Sequence, residues 1–194
     1  MARRVTAYDI AQAGDIASLI GLTIDQIRAG NMETKEYGAQ VLRSLTEQQQ
    51  GAKEKEKEKE ADNLGIDREN KLEIAMPDNI TMIAQALGIK PLVALLSNGS
   101  SLAQRDAAGA LANIARGRLE YQERIIASGG VKPLSSMLRA GDASAQEQAA
   151  AAMASVSQNL SQQKAIIDSG AIAPLVGLLK PNNVRFPFSG SRNR

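Results

Sequence analysis

GIKPLVALL runs from Gly88 to Leu96, GVKPLSSML from Gly130 to Leu138 and AIAPLVGLL from Ala171 to Leu179. Their prolines, Pro91, Pro133 and Pro174, are spaced 42 and then 41 residues apart. The pairs Leu95-Leu96, Met137-Leu138 and Leu178-Leu179 keep the same step, and so do Ile83, Ile125 and Ile166 upstream. A fixed period of this size is the mark of stacked repeats, because a unit this short cannot bury its apolar face alone. A fainter copy, GDIASLIGL from Gly14, aligns with GAIAPLVGL from Gly170 and puts Ser18 at the proline position.

Between the blocks lies a second pattern. Ala107, Ala108, Leu111, Ile114 and Ala115 fall on one stripe of a helix. Forty-two residues later stand Ala149, Ala150, Met153, Val156 and Ser157, and the first copy has Gly38, Ala39, Leu42, Leu45 and Thr46. Each unit therefore reads as a short helix, a glycine stop, a second helix opened near a proline, a turn, and a longer third helix. The fold class that follows is all-α, a solenoid of about three and a half repeats.

Composition agrees with helices. Aromatic residues make up 3% of the 194, with no Trp, which argues against small aromatic-rich β-sandwiches. The absence of Cys and His rules out disulfides, Cys or Cys/His zinc sites, Ser-His-Asp triads and Cys-His pairs. No phosphate-binding glycine loop and no carboxylate set with metal-ligand spacing occur. A non-enzymatic chain without cofactor or metal is the expectation. The formal net charge is +2, and basic residues cluster only near the end, at Arg185, Arg192 and Arg194, so nucleic acid is not an expected partner. No apolar run reaches a membrane span and no signal core follows Met1, so a soluble chain of the cytoplasm or nucleus is expected.

The phased elements I-I-x-S-G-G-x-x-P-L and A-A-x-A-L-x-N-I-A, read at Ile125–Leu134 and Ala107–Ala115, resemble the armadillo repeat over residues 5–48 and 78–180. The resemblance implies a right-handed superhelix whose third helices line a concave groove for an extended peptide. The segments expected are a first repeat at 5–48, a flexible charged insert at 49–77, two full repeats and one partial at 78–180, and a disordered basic tail at 181–194. The insert carries KEKEKEKE at Lys53–Glu60, read as a solvated loop or a frayed helix extension. At the other end no third helix follows Leu179, so Leu175, Leu178 and Leu179 need a cover. Phe186-Pro187-Phe188 folding back, a partner, or further repeats of a longer array would provide one, and self-association through this end is a further expectation.

Opposite the apolar stripe, Arg105, Gly109, Asn113 and Arg116 share one surface of the middle third helix. The matching sets are Glu36, Gln40, Ser44 and Glu47 before it, and Glu147, Ala151, Ser155 and Gln158 after it. The resemblance implies that Asn113 bonds the backbone of a bound peptide. Arg105 and Arg116 are expected to face solvent unpaired and to attract an acidic side chain, and Gly109 and Ala151 to leave room for an apolar one. The stretch AAGALANIARG also resembles importin-α, which makes a nuclear import adaptor fragment one alternative to a general protein or peptide scaffold, a structural fragment of a larger armadillo scaffold being the other. The importin-α family places Trp where this chain has Gly109.

Overall fold

The computed structural model describes residues 16–62, 78–158 and 160–178. Ten helices and no strand occur among them: α1 (Ile16–Ala29), α2 (Met32–Asp62), α3 (Asn79–Gln85), α4 (Ile89–Asn98), α5 (Ser101–Ala115), α6 (Leu119–Ala127), α7 (Val131–Ala140), α8 (Ala143–Val156), α9 (Leu160–Asp168) and α10 (Ile172–Leu178). Helices α3–α5 and α6–α8 form two three-helix units, α1–α2 precede them and α9–α10 follow.

Polar caps start the third helix of each unit at matching positions. The Asn31 side chain accepts from the Thr34 amide at 2.9 Å, Ser100 from Ala103 at 3.1 Å, and Asp142 from Ala145 at 2.8 Å. Each bond satisfies one of the amides that a helix start leaves without a partner. The second helices open after glycines for a steric reason. A Cβ on Gly88 would lie 2.9 Å from the Ile83 carbonyl oxygen and 3.0 Å from Ile24 Cδ1, and one on Gly130 would lie 3.1 Å from the Ile125 carbonyl and 3.4 Å from Val93 Cγ2.

Those contacts fix the register of the first unit, because Ile24 does for Gly88 what Val93 does for Gly130. The buried residues Ile20, Thr23, Ile24 and Ile27 of α1 match Ile89, Leu92, Val93 and Leu96 of α4. Leu22, not Ser18, therefore stands at the proline position, one helical turn from where the sequence match put it. A four-residue slip keeps an apolar stripe on the same face, so periodicity alone does not detect it. The polar member of the stripe is satisfied within its helix, the Thr23 hydroxyl donating to the Leu19 carbonyl at 2.7 Å.

The turn between first and second helices is left-handed in all three later units. Gly129 has φ 81° and Gly170 has φ 72°, but the matching residue in α3–α4 is Leu87, at φ 61°. A side chain there costs about 1–2 kcal/mol against its own carbonyl, and glycine would return part of that through a freer unfolded chain. Leu87→Gly should thus stabilise the protein by about 0.5–1 kcal/mol, read as a raised urea midpoint with an unchanged slope. An unchanged or lowered midpoint would show that the leucine is not strained.

Helices α2, α5 and α8 lie side by side, with α4 packed on α5 and α7 on α8. Because α5 has neighbours on both sides, it is buried almost all round, and alanines at 107, 108, 110, 112 and 115 let those helices approach. A continuous core runs from Ile20 through Leu42, Leu111 and Met153 to Ile166 and Ala171. On the first helices, Arg118 ties α6 to α3: it pairs with Asp78, which also caps α3, and donates to the Thr81 hydroxyl at 3.1 Å. The hydrogen bond to Asp78 outweighs burial and raises the Arg118 guanidinium above its ordinary range. Tyr121 sits between Arg118 and Arg124, their guanidinium carbons 5.6 and 5.9 Å from the ring centre.

Helix α2 has 31 residues where α5 has 15 and α8 has 14. It runs through KEKEKEKE to Asp62, so the loop alternative does not hold there, and no structural break falls at residue 48. The excess length is about 24 Å at 1.5 Å per residue. Residues 5–15, 63–77 and 181–194, with the Phe186-Pro187-Phe188 segment, lie outside the described residues, as does Leu179. At the α9–α10 end, Leu175 and Leu178 are half-buried against the core. The open positions are Ile172 and Val176, 48% and 55% exposed, whereas their counterparts Ile89, Val93, Val131 and Ser135 are all buried.

Candidate functional site

The candidate surface is the face shared by α2, α5 and α8. At its centre is Asp106, 5% exposed by side chain, on the flank of α5 that meets α2. Its Oδ1 accepts from Arg43 Nη1 of α2 and from Arg105 Nε, both at 3.0 Å. Arg43 Nε also donates to Glu47 at 2.7 Å. Burial works to lower the Arg43 pKa, but the hydrogen bonds and fields of Glu47 and Asp106 outweigh it and raise the group above its ordinary value. Arg105 is therefore half-buried and paired, contrary to the expectation of an unpaired, solvent-facing cation.

Gly109 is also not an open space. A Cβ there would lie 2.9 Å from Gln148 Oε1 and 3.0 Å from Arg43 Nε, so a side chain from α8 and one from α2 already cover it. Asn113 is 8% exposed and donates from Nδ2 to the Thr46 hydroxyl at 3.2 Å, which in turn donates to the Arg43 carbonyl at 2.7 Å. It leans towards α2 and is not a merely solvated helix-surface residue. Ser155 is buried, Ala151 half-buried, and Gln40, Ser44, Arg116 and Glu147 are exposed. Glu36 accepts a 2.5 Å bond from Ser100, and Gln158 accepts one from Gln122 Nε2 at 2.9 Å. Gln122 Nε2 donates as well to the Ala115 carbonyl at the end of α5, as Gln163 does to Ser157 at the end of α8.

Spacing alone missed Arg43, Thr46, Asp106 and Gln148. The row that crosses the face is 105, 109, 112 and 116, and Arg43 is the α2 member of the position that Ala112 and Ala154 fill on α5 and α8. Inspecting that row would have shown one arginine among alanines. Among the described residues, no group of three or more acidic side chains is placed to hold a metal ion, and no single helix is long and apolar enough to cross a membrane.

The armadillo/beta-catenin-like repeat model matches residues 76–116 and 120–157, the α3–α5 and α6–α8 units. These two units are armadillo repeats. Similar solved structures include an engineered protein (25% identity, TM-score 0.64, over 84% of this chain and 57% of that one). Computationally designed armadillo repeat proteins for modular peptide recognition are similar at 23% identity and TM-score 0.63, over 83% of this chain and 57% of that one. A designed armadillo repeat protein in complex with the peptide (KR)4 is similar at 20% and 0.64, over 87% and 65%. The chain thus spans 57–65% of the length of these structures. No curated protein matches it by sequence.

Proposed function

We propose that this armadillo array is a non-catalytic scaffold that holds an extended segment of a partner protein along the concave face of α2, α5 and α8. The observation that carries the reading is the pair of guanidiniums held on one carboxylate. Arg105 and Arg43 share one oxygen of Asp106, and the Arg43 side chain lies against Gly109. Of five N–H donors each, Arg105 uses one and Arg43 two in these bonds, and both side chains keep contact with water. Preorganised forks of this kind suit carboxylates and backbone carbonyls. The named purpose of the designed armadillo proteins, peptide recognition, supports the class of function.

A lysine-rich import signal suits this face poorly. Where importin-α has Trp, the chain has Gly109, and the Arg43 and Gln148 side chains cover it, so no aromatic slot is there to take a lysine stem. In a peptide-array screen with the full chain, Arg105→Gln combined with Arg116→Glu should reduce binding at least tenfold and leave the helical circular dichroism unchanged. Unaltered binding, or a wild-type preference for Lys-rich peptides, would contradict the reading.

A further inference from the structure

We infer that the first repeat junction carries a second docking site, one for an acidic segment that carries a leucine-sized apolar side chain. The site is a hollow of about 400 Å³ between α1 and α4, walled by Ile27, Arg28, Lys35, Leu87, Lys90 and Pro91. Its size falls within the range of ligand pockets. One unit further on, an equivalent hollow of about 450 Å³ lies between α4 and α7. There Ser97 stands for Arg28 and Gln104 for Lys35, no cation lines the wall, and Asp142 does. The hollow is thus a property of the repeat; Lys132 stands at the Lys90 position of the next junction and Arg139 at the Arg28 position of the one after, but cations fill the Arg28, Lys35 and Lys90 positions together only at the first.

That charge is largely uncompensated. Arg28 meets the exposed Asp25 at 3.5 Å and donates to the Leu87 carbonyl at 3.4 Å, while Lys35 and Lys90 form no ion pair among the described residues. No acidic residue lines the hollow, and Ala94 and Leu95 add to its apolar wall. Carboxylates flanking an apolar side chain complement this arrangement of cations around a greasy floor.

Leu87 is the independent observation. It is 58% exposed and holds a left-handed backbone where Gly129 and Gly170 serve the later units. What its side chain supplies, and glycine would not, is an apolar lip shared by this hollow and the one beside Arg124 and Ala127. Strain at an exposed leucine is consistent with a contact surface, not with packing.

The proposal is independent of the concave-face reading and is tested separately from it. The probe is an array of octapeptides with one Leu among Asp and Glu, beside arrays with Asn and Gln for the acids and Ser for the Leu. The full chain should bind the acidic Leu peptides only. Lys35→Glu with Lys90→Glu should weaken that binding at least about tenfold, whereas Arg105→Gln with Arg116→Glu should leave it unchanged. Leu87→Gly should weaken it several-fold while raising the urea midpoint, two opposite shifts that a merely structural role does not produce. No binding of the acidic Leu peptides would overturn the proposal, as would binding indifferent to the lysine reversals or lost in the concave-face variant. Capture by phosphatidylserine vesicles in place of peptide binding would overturn it too.

Discussion

Leu111→Ala should destabilise the protein by about 2–5 kcal/mol, the range for a large-to-small change in a packed helical core. Leu111 is fully buried in α5, which has α2 on one side and α8 on the other, so neither neighbour can collapse into the space without disturbing the rest of the stack. Asn113→Ala, two residues away on the polar side, should cost about 1 kcal/mol: it removes one hydrogen bond to Thr46, whose hydroxyl keeps its own bond to the Arg43 carbonyl. Urea unfolding of both variants measures the difference. Equal midpoints would show that the inner and outer faces of α5 are wrongly assigned.

The second large effect is expected at Asp106, where Ala should cost about 2–3 kcal/mol because charge-assisted hydrogen bonds to two guanidiniums are lost together. The loss stays below that of a fully buried pair, since Arg43 retains Glu47 and both arginines reach water. A double-mutant cycle with Arg43→Ala isolates the inter-helix part of this energy. Additive effects would mean that the Arg43 to Asp106 bond contributes nothing to joining α2 and α5.

Features that recur were legible in the sequence. Pro91, Pro133 and Pro174, the Ile83 series and the stripe through Leu111 each repeat in phase, and the helices follow them. The left-handed turn at Leu87 also carried a signal, because the period aligns it with Gly129 and Gly170. What escaped is specific to one unit or depends on distant partners. Arg43 reaches Asp106 across 63 residues of sequence, and nothing local shows that its side chain lies over Gly109. Asn113 was read from its own helix as outward-facing, yet Thr46, 67 residues away, draws it towards α2. The charge run at Lys53–Glu60 gave no clear helical preference, since like charges at i+4 offset opposite charges at i+3, and its helix is a continuation of α2.

The most direct measurement is backbone amide chemical-shift mapping of the full chain, titrated with an array peptide whose binding depends on Arg105 and Arg116. Perturbations should follow the face of the third helices, at Gln40 and Ser44 on α2, Arg105, Gly109 and Asn113 on α5, and Glu147, Ala151 and Ser155 on α8. Shifts confined to the hollow between α1 and α4, or scattered without relation to these positions, would contradict a binding groove along α2, α5 and α8.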